Sequence, residues 1–91
     1  MEIAFDLIKD AVNIDKHGVS LAFGIILFDD GHHIVLPSVR PIDGEDRFKV
    51  IGDVDGRLWT AVYVMRVEVI RFISVRKSNE GEARAYHRVE S

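Results

Sequence analysis

Two stretches, Arg57–Met65 and Val67–Arg76, follow one another with only Arg66 between them, and both are dense in Val, Ile, Tyr, Trp and Phe. β-Branched and aromatic side chains fit a pleated, half-buried surface. Two such runs this close in sequence can pair only as neighbouring antiparallel strands. Asp55-Gly56, a favourable hairpin turn, joins them to Arg47–Gly52. That segment alternates, with Phe48 and Val50 on one face and Arg47, Lys49 and Ile51 on the other. His33–Leu36, closed by Pro37, reads as a short edge strand. The sheet expected from these segments is four-stranded and largely antiparallel.

Helices flank it. Phe5, Ile8 and Val12, widened by Leu7 and Ala11, follow helical spacing, so Asp6–Lys16 reads as a first amphipathic helix ended by Gly18. Ser20 is placed to cap a second helix over Leu21–Phe28, which Asp29-Asp30-Gly31 breaks. Ser78 or Asn79 can cap a last helix through Glu82, Ala83, Tyr86 and Val89. The class is α+β: two helices, four strands and a C-terminal helix in one domain over residues 1–91.

With no cysteine, the chain has neither a disulfide framework nor thiolate metal sites, and a reducing cytoplasm is the expected compartment. The start of the chain is acidic and lacks the pattern of a signal peptide. Its longest apolar run, Leu21–Phe28, is far below the roughly 20 residues that span a bilayer, so no membrane association is expected. A net charge of -3 argues against non-specific coating of nucleic acid. The charge is uneven, however: through Gly56 there are five Lys/Arg against eleven Asp/Glu, and beyond it seven against four.

Arginines threaded through apolar strands need counter-anions, and phosphate suits guanidinium geometry. The pattern points to RNA. On an ideal strand Arg71 and Arg76 point to opposite faces. Either a bulge re-aims one of them, or one lines a site while the other pairs with a carboxylate. Arg47 and Lys49 share a face and form either a basic patch or a solvated edge. His17 is a candidate acid or base, or simply a helix-end residue before Gly18. Glu45, beside Arg47, is a candidate proton acceptor or a salt-bridge partner. Trp59, Tyr63 and Phe72 offer stacking surfaces, although aromatic strand residues in a small domain are usually core. His32-His33 face opposite ways on an extended segment, and no metal or cofactor site is expected.

In order and spacing the residues resemble the BrnT family, the toxin half of BrnT/BrnA type II toxin–antitoxin modules. The matching pieces are Lys16-His17-Gly18-Val19-Ser20 after a helix containing Asn13, Phe28-Asp29-Asp30, Gly44-Glu45-Asp46-Arg47-Phe48, Gly52 and Gly56-Arg57-Leu58. Val62-Tyr63, Arg66, the strand Ile70–Lys77, and then Glu82, Arg84 and Tyr86 follow in register. The resemblance implies a RelE-like fold, ribonuclease activity that inhibits translation, and neutralisation by a DNA-binding BrnA-type antitoxin. Leu7-Ile8 and the depleted positive charge at Glu80, Gly81 and Ala83 depart from the family pattern. On this reading Arg71 and Arg76 clamp the phosphate, Arg47, Lys49, Arg66 and Lys77 hold the RNA backbone, and His17 or Glu45 moves protons. The alternatives are a catalytically degenerate toxin that only binds its antitoxin, and a plain RNA-binding module.

Overall fold

The computed structural model describes residues 2–38 and 46–90. The elements are β1 (Glu2–Ala4), α1 (Leu7–His17), a 3-10 helix (Leu21–Asp29), β2 (Ile34–Pro37), β3 (Arg47–Val54), β4 (Arg57–Arg66), β5 (Val69–Lys77) and α2 (Glu80–Glu90). They form one sheet in the order β1-β5-β4-β3-β2. The expected four-stranded sheet is thus corrected to a five-stranded, mixed one. The added strand, β1, pairs parallel with β5 over three residues and is too short to show alternation in the sequence.

The helix expected over Leu21–Phe28 is instead 3-10, nine residues long. Its buried positions explain the winding. Leu21, Gly24 and Leu27 recur every third residue, the period at which 3-10 side chains eclipse along one face. That face lies on Val50, Ala61, Tyr63, Phe72 and Val75, which form the main core. Two glycines allow the close approach: a Cβ on Gly24 would sit 2.6 Å from the Phe72 ring, and one on Gly52 only 2.7 Å from the Leu27 carbonyl oxygen. A smaller cluster of Ile34, Ile51 and Tyr86 holds α2 on the opposite face of the sheet. Tyr86 also donates to Asp30 Oδ2 at 2.7 Å, tying α2 to the end of the 3-10 helix.

Helix α1 packs along the free edge of β5 where β1 stops. Its contact is made with polar groups. The Asn13 amide donates to the Val75 carbonyl at 2.8 Å and accepts from the Val75 N–H at 3.0 Å, imitating a neighbouring strand. Asp10 accepts from Ser20 Oγ and the Leu21 N–H, so α1 also helps start the 3-10 helix.

The two hairpins use the same turn with different residues. Asp55-Gly56 takes positive φ at both positions, as does Val67-Glu68. Asp-Gly tolerates this conformation, whereas valine there is strained. Replacing Val67-Glu68 by Asn-Gly is expected to raise stability by about 1 kcal/mol. Gly52→Ala is expected to lower it by about 1–3 kcal/mol, because its contact is a backbone oxygen rather than a movable side chain. Urea unfolding of the two variants measures both effects.

Candidate nucleic-acid interface

Register decides which side chains share a face. Arg47 pairs with Val64, and Val64 with Arg71; Lys49 pairs with Val62, and Val62 with Ser74; Ile51 pairs with Thr60, and Thr60 with Arg76. Each row crosses β3, β4 and β5. The rows are continuous because the β4–β5 ladder shifts at Val62/Tyr63, leaving Ile73 as an extra residue between Phe72 and Ser74. Without that bulge Arg71 and Arg76 would lie on opposite faces. With it, they join Arg47 and Lys49 on the face turned away from the 3-10 helix. Of the two options open in the sequence, the bulge is the one adopted.

Arg76 also meets a carboxylate, the feature of the second option. Its Nη1 and Nη2 donate to Glu82 Oε1 and Oε2 at 2.6 and 2.8 Å. Lys49 Nζ reaches Oε2 at 3.2 Å, Thr60 Oγ1 reaches Oε1 at 3.0 Å, and the Asn79 N–H reaches Oε1 at 2.9 Å. Glu82 returns its own N–H to Asn79 Oδ1 at 2.8 Å, completing a capping box at the start of α2. The Glu82 side chain is 2% exposed, while Arg76 and Lys49 keep 30% and 27%.

Burial by itself raises the Glu82 carboxyl. The hydrogen bonds from Arg76, Asn79 and Lys49 together outweigh it and hold the group at about 2. Glu82 therefore stays ionised at neutral pH and is only a weak base. It arranges two cations that still face solvent.

Two openings border this face. Lys16, His17, Arg76 and Lys77 line one; Lys9, Arg47, Val64, Arg66, Arg71 and Ile73 line the other. Arg71 is exposed and, among the described residues, makes no hydrogen bond or ion pair. The structure thus sets Arg76, Lys77 and His17 at one opening and Arg71, Arg47 and Arg66 at the other, with Lys49 joined to Arg76 through Glu82. Glu45 lies outside the described residues. Among the described residues no three His, Asp or Glu side chains converge as metal ligands. His33 Nδ1 lies 2.8 Å from the Asp30 carbonyl instead. Of the aromatic residues, Tyr63 and Phe72 are core, and Trp59 packs against the core beside Phe23.

Residue-by-residue reasoning missed Glu82 as the organiser of the cations, and Lys9 and Lys16 as members of the two openings. Asn79-Glu80-Gly81-Glu82 has the cap-x-x-Glu spacing that could have marked Glu82.

A family model described as the ribonuclease toxin BrnT of type II toxin–antitoxin systems matches residues 5–82. No curated protein matches the chain.

Glu82→Gln is expected to cost about 2–4 kcal/mol, the lower values reflecting the hydration the two cations retain. The Glu82 carboxyl falls from its ordinary 4.5 to about 2 on folding, so its stabilisation is complete above 4.5 and is lost as pH falls through 2. The stability gap between wild type and variant should therefore close as pH is lowered through that window. Thermal unfolding at a series of pH values checks this.

Proposed function

Since the chain belongs to the BrnT family of ribonuclease toxins of type II toxin–antitoxin systems, we propose that it is a metal-independent endoribonuclease with a RelE-like fold. It acts in the cytoplasm, stops translation by cutting RNA, and is neutralised by a DNA-binding BrnA-type antitoxin. The observation that carries this reading is the Ile73 bulge, which gathers Arg71 and Arg76 with Arg47 and Lys49 on one face.

RNA holds its own nucleophile. The 2'-hydroxyl attacks the adjacent phosphorus, its proton passes to a base, and the departing 5'-oxygen takes up a proton, leaving a 2',3'-cyclic phosphate. The protein has to hold the phosphate, stabilise the charge that builds on its oxygens and move two protons. Arg71 supplies an exposed guanidinium, and Arg76 a second one held rigid by Glu82. Arg47, Arg66, Lys49 and Lys77 hold the flanking backbone. His17, in the opening beside Arg76, transfers a proton, with Glu45 the other candidate.

The Glu82 pairing also favours a second reading. A carboxylate that holds both Arg76 and Lys49 removes one unit of positive charge from the surface that must attract phosphate. The degenerate form of the toxin, binding its antitoxin without cutting RNA, would look the same.

Arg71→Ala is the informative variant, because Arg76→Ala would also strip Glu82 of its main partner and destabilise the fold. Purified, antitoxin-free protein should cut end-labelled RNA in EDTA and leave cyclic phosphate ends. Arg71→Ala should cut it about a hundredfold or more slowly at an unchanged melting temperature. Cleavage abolished by EDTA overturns metal independence, and an equal rate in the variant overturns the role of Arg71. Intact RNA from folded wild-type protein selects the second reading.

A further inference from the structure

Helix α1 is turned inside out. Amphipathic helices in small domains ordinarily direct their apolar stripe to the core. In α1 the sole buried residue is Asn13, whereas Leu7, Ile8, Val12 and Ile14 are 78%, 77%, 49% and 48% exposed. Asn13 and Asp10 face inward because they satisfy Val75, Val19, Ser20 and Leu21. The apolar side is left to solvent. A contiguous apolar surface of this kind marks an interaction site.

The surface is not flat. Ile8 and Val12 form one wall of a groove of about 220 Å³ whose other wall is Ile73 and Ser74 of β5. Lys9 and Lys16, one turn either side along α1, stand on its rim. Arg71 lies beyond Ile73 in the adjoining opening. Apolar walls with a basic rim match a segment that carries apolar side chains on one side and carboxylates on the other. A second copy of this chain would set the same lysines against each other across a two-fold axis. A bilayer would have to accept Asp15, which is exposed on the same side of α1 as Ala11 and Ile8.

We propose that the groove between α1 and β5 is the docking site for an acidic amphipathic segment of the protein antitoxin. Its apolar side covers Ile8 and Val12, and its carboxylates meet Lys9 and Lys16. The proposal rests on the toxin reading for the identity of the partner; the groove itself is a property of this fold.

The test is Ile8→Gln/Val12→Gln, which removes the apolar wall without changing charge and uses exposed positions that leave the melting temperature unaltered. Calorimetric titration with the purified cognate antitoxin should show about a thirtyfold or greater loss of affinity, with RNA cleavage by the free variant unchanged. Lys9→Glu/Lys16→Glu should weaken binding and flatten its salt dependence. Wild-type affinity in the Gln variant overturns the docking site even if the protein cuts RNA. Failure of the wild-type protein to bind the antitoxin overturns the toxin–antitoxin reading as well. A dimer of the free wild-type protein that the Gln variant dissolves assigns the groove to a second copy. Binding to phosphatidylglycerol vesicles that the variant abolishes assigns it to a membrane. Either result overturns the proposal.

Discussion

One carboxylate, that of Glu82, joins most of the parts on which the basic face depends. Its oxygens accept from β3 through Lys49, from β4 through Thr60, from β5 through Arg76 and from the start of α2 through Asn79. A buried ion pair is poor evidence of stability when its charges are incompletely satisfied. Here five donors converge on two oxygens, enough to keep the group ionised despite its burial. The interaction therefore fixes where α2 crosses the sheet. With α2 seated over Ile34 and Ile51, the half-buried Val62 and the cations flanking it and Val64 lie beside it.

Sidedness has a different source. A single extra residue, Ile73, decides whether two arginines five positions apart act together or on opposite surfaces. Sequence can state that alternative but cannot resolve it, since a bulge depends on which partners the neighbouring strand offers. The alternation Phe48/Val50 against Arg47/Lys49/Ile51 was legible because one face of β3 is apolar throughout. The Asp55-Gly56 turn was legible for the same kind of reason: its residues are those that its conformation requires. Val67-Glu68 adopts the matching conformation without the matching residues, so nothing local announces it.

Helical segments show where pattern and packing part company. Helix α1 was found by its apolar period, yet that period reports amphipathicity and not direction. Direction came from Asn13, whose side chain occupies the edge of β5 more specifically than any apolar group could. The 3-10 winding was hidden because Leu21–Phe28 is apolar almost throughout, which blurs the difference between a period of three and one of 3.6. Gly24 meets Phe72 on β5 and Gly52 meets Leu27 of the 3-10 helix at the tightest approaches in the core, and that closeness is visible only in three dimensions.

The arrangement of charge lets an acidic protein present a basic face. Phosphate responds to the local potential within roughly a Debye length, about 8–10 Å, not to net charge. Lys9, Arg47, Arg66 and Arg71 lie together at one opening, and Lys16, Arg76 and Lys77 at another. Within this field the arginines differ in the partners they already have. Arg76, engaged by Glu82, can offer a fixed geometry but only part of its charge. Arg71 is exposed beside Ile73, and an exposed arginine loses side-chain freedom when it binds an anion. On the proposed ribonuclease reading, one preorganised guanidinium and one mobile guanidinium on the same face would hold the ground-state phosphate loosely and tighten as charge develops. Tightening of this kind is what acceleration requires.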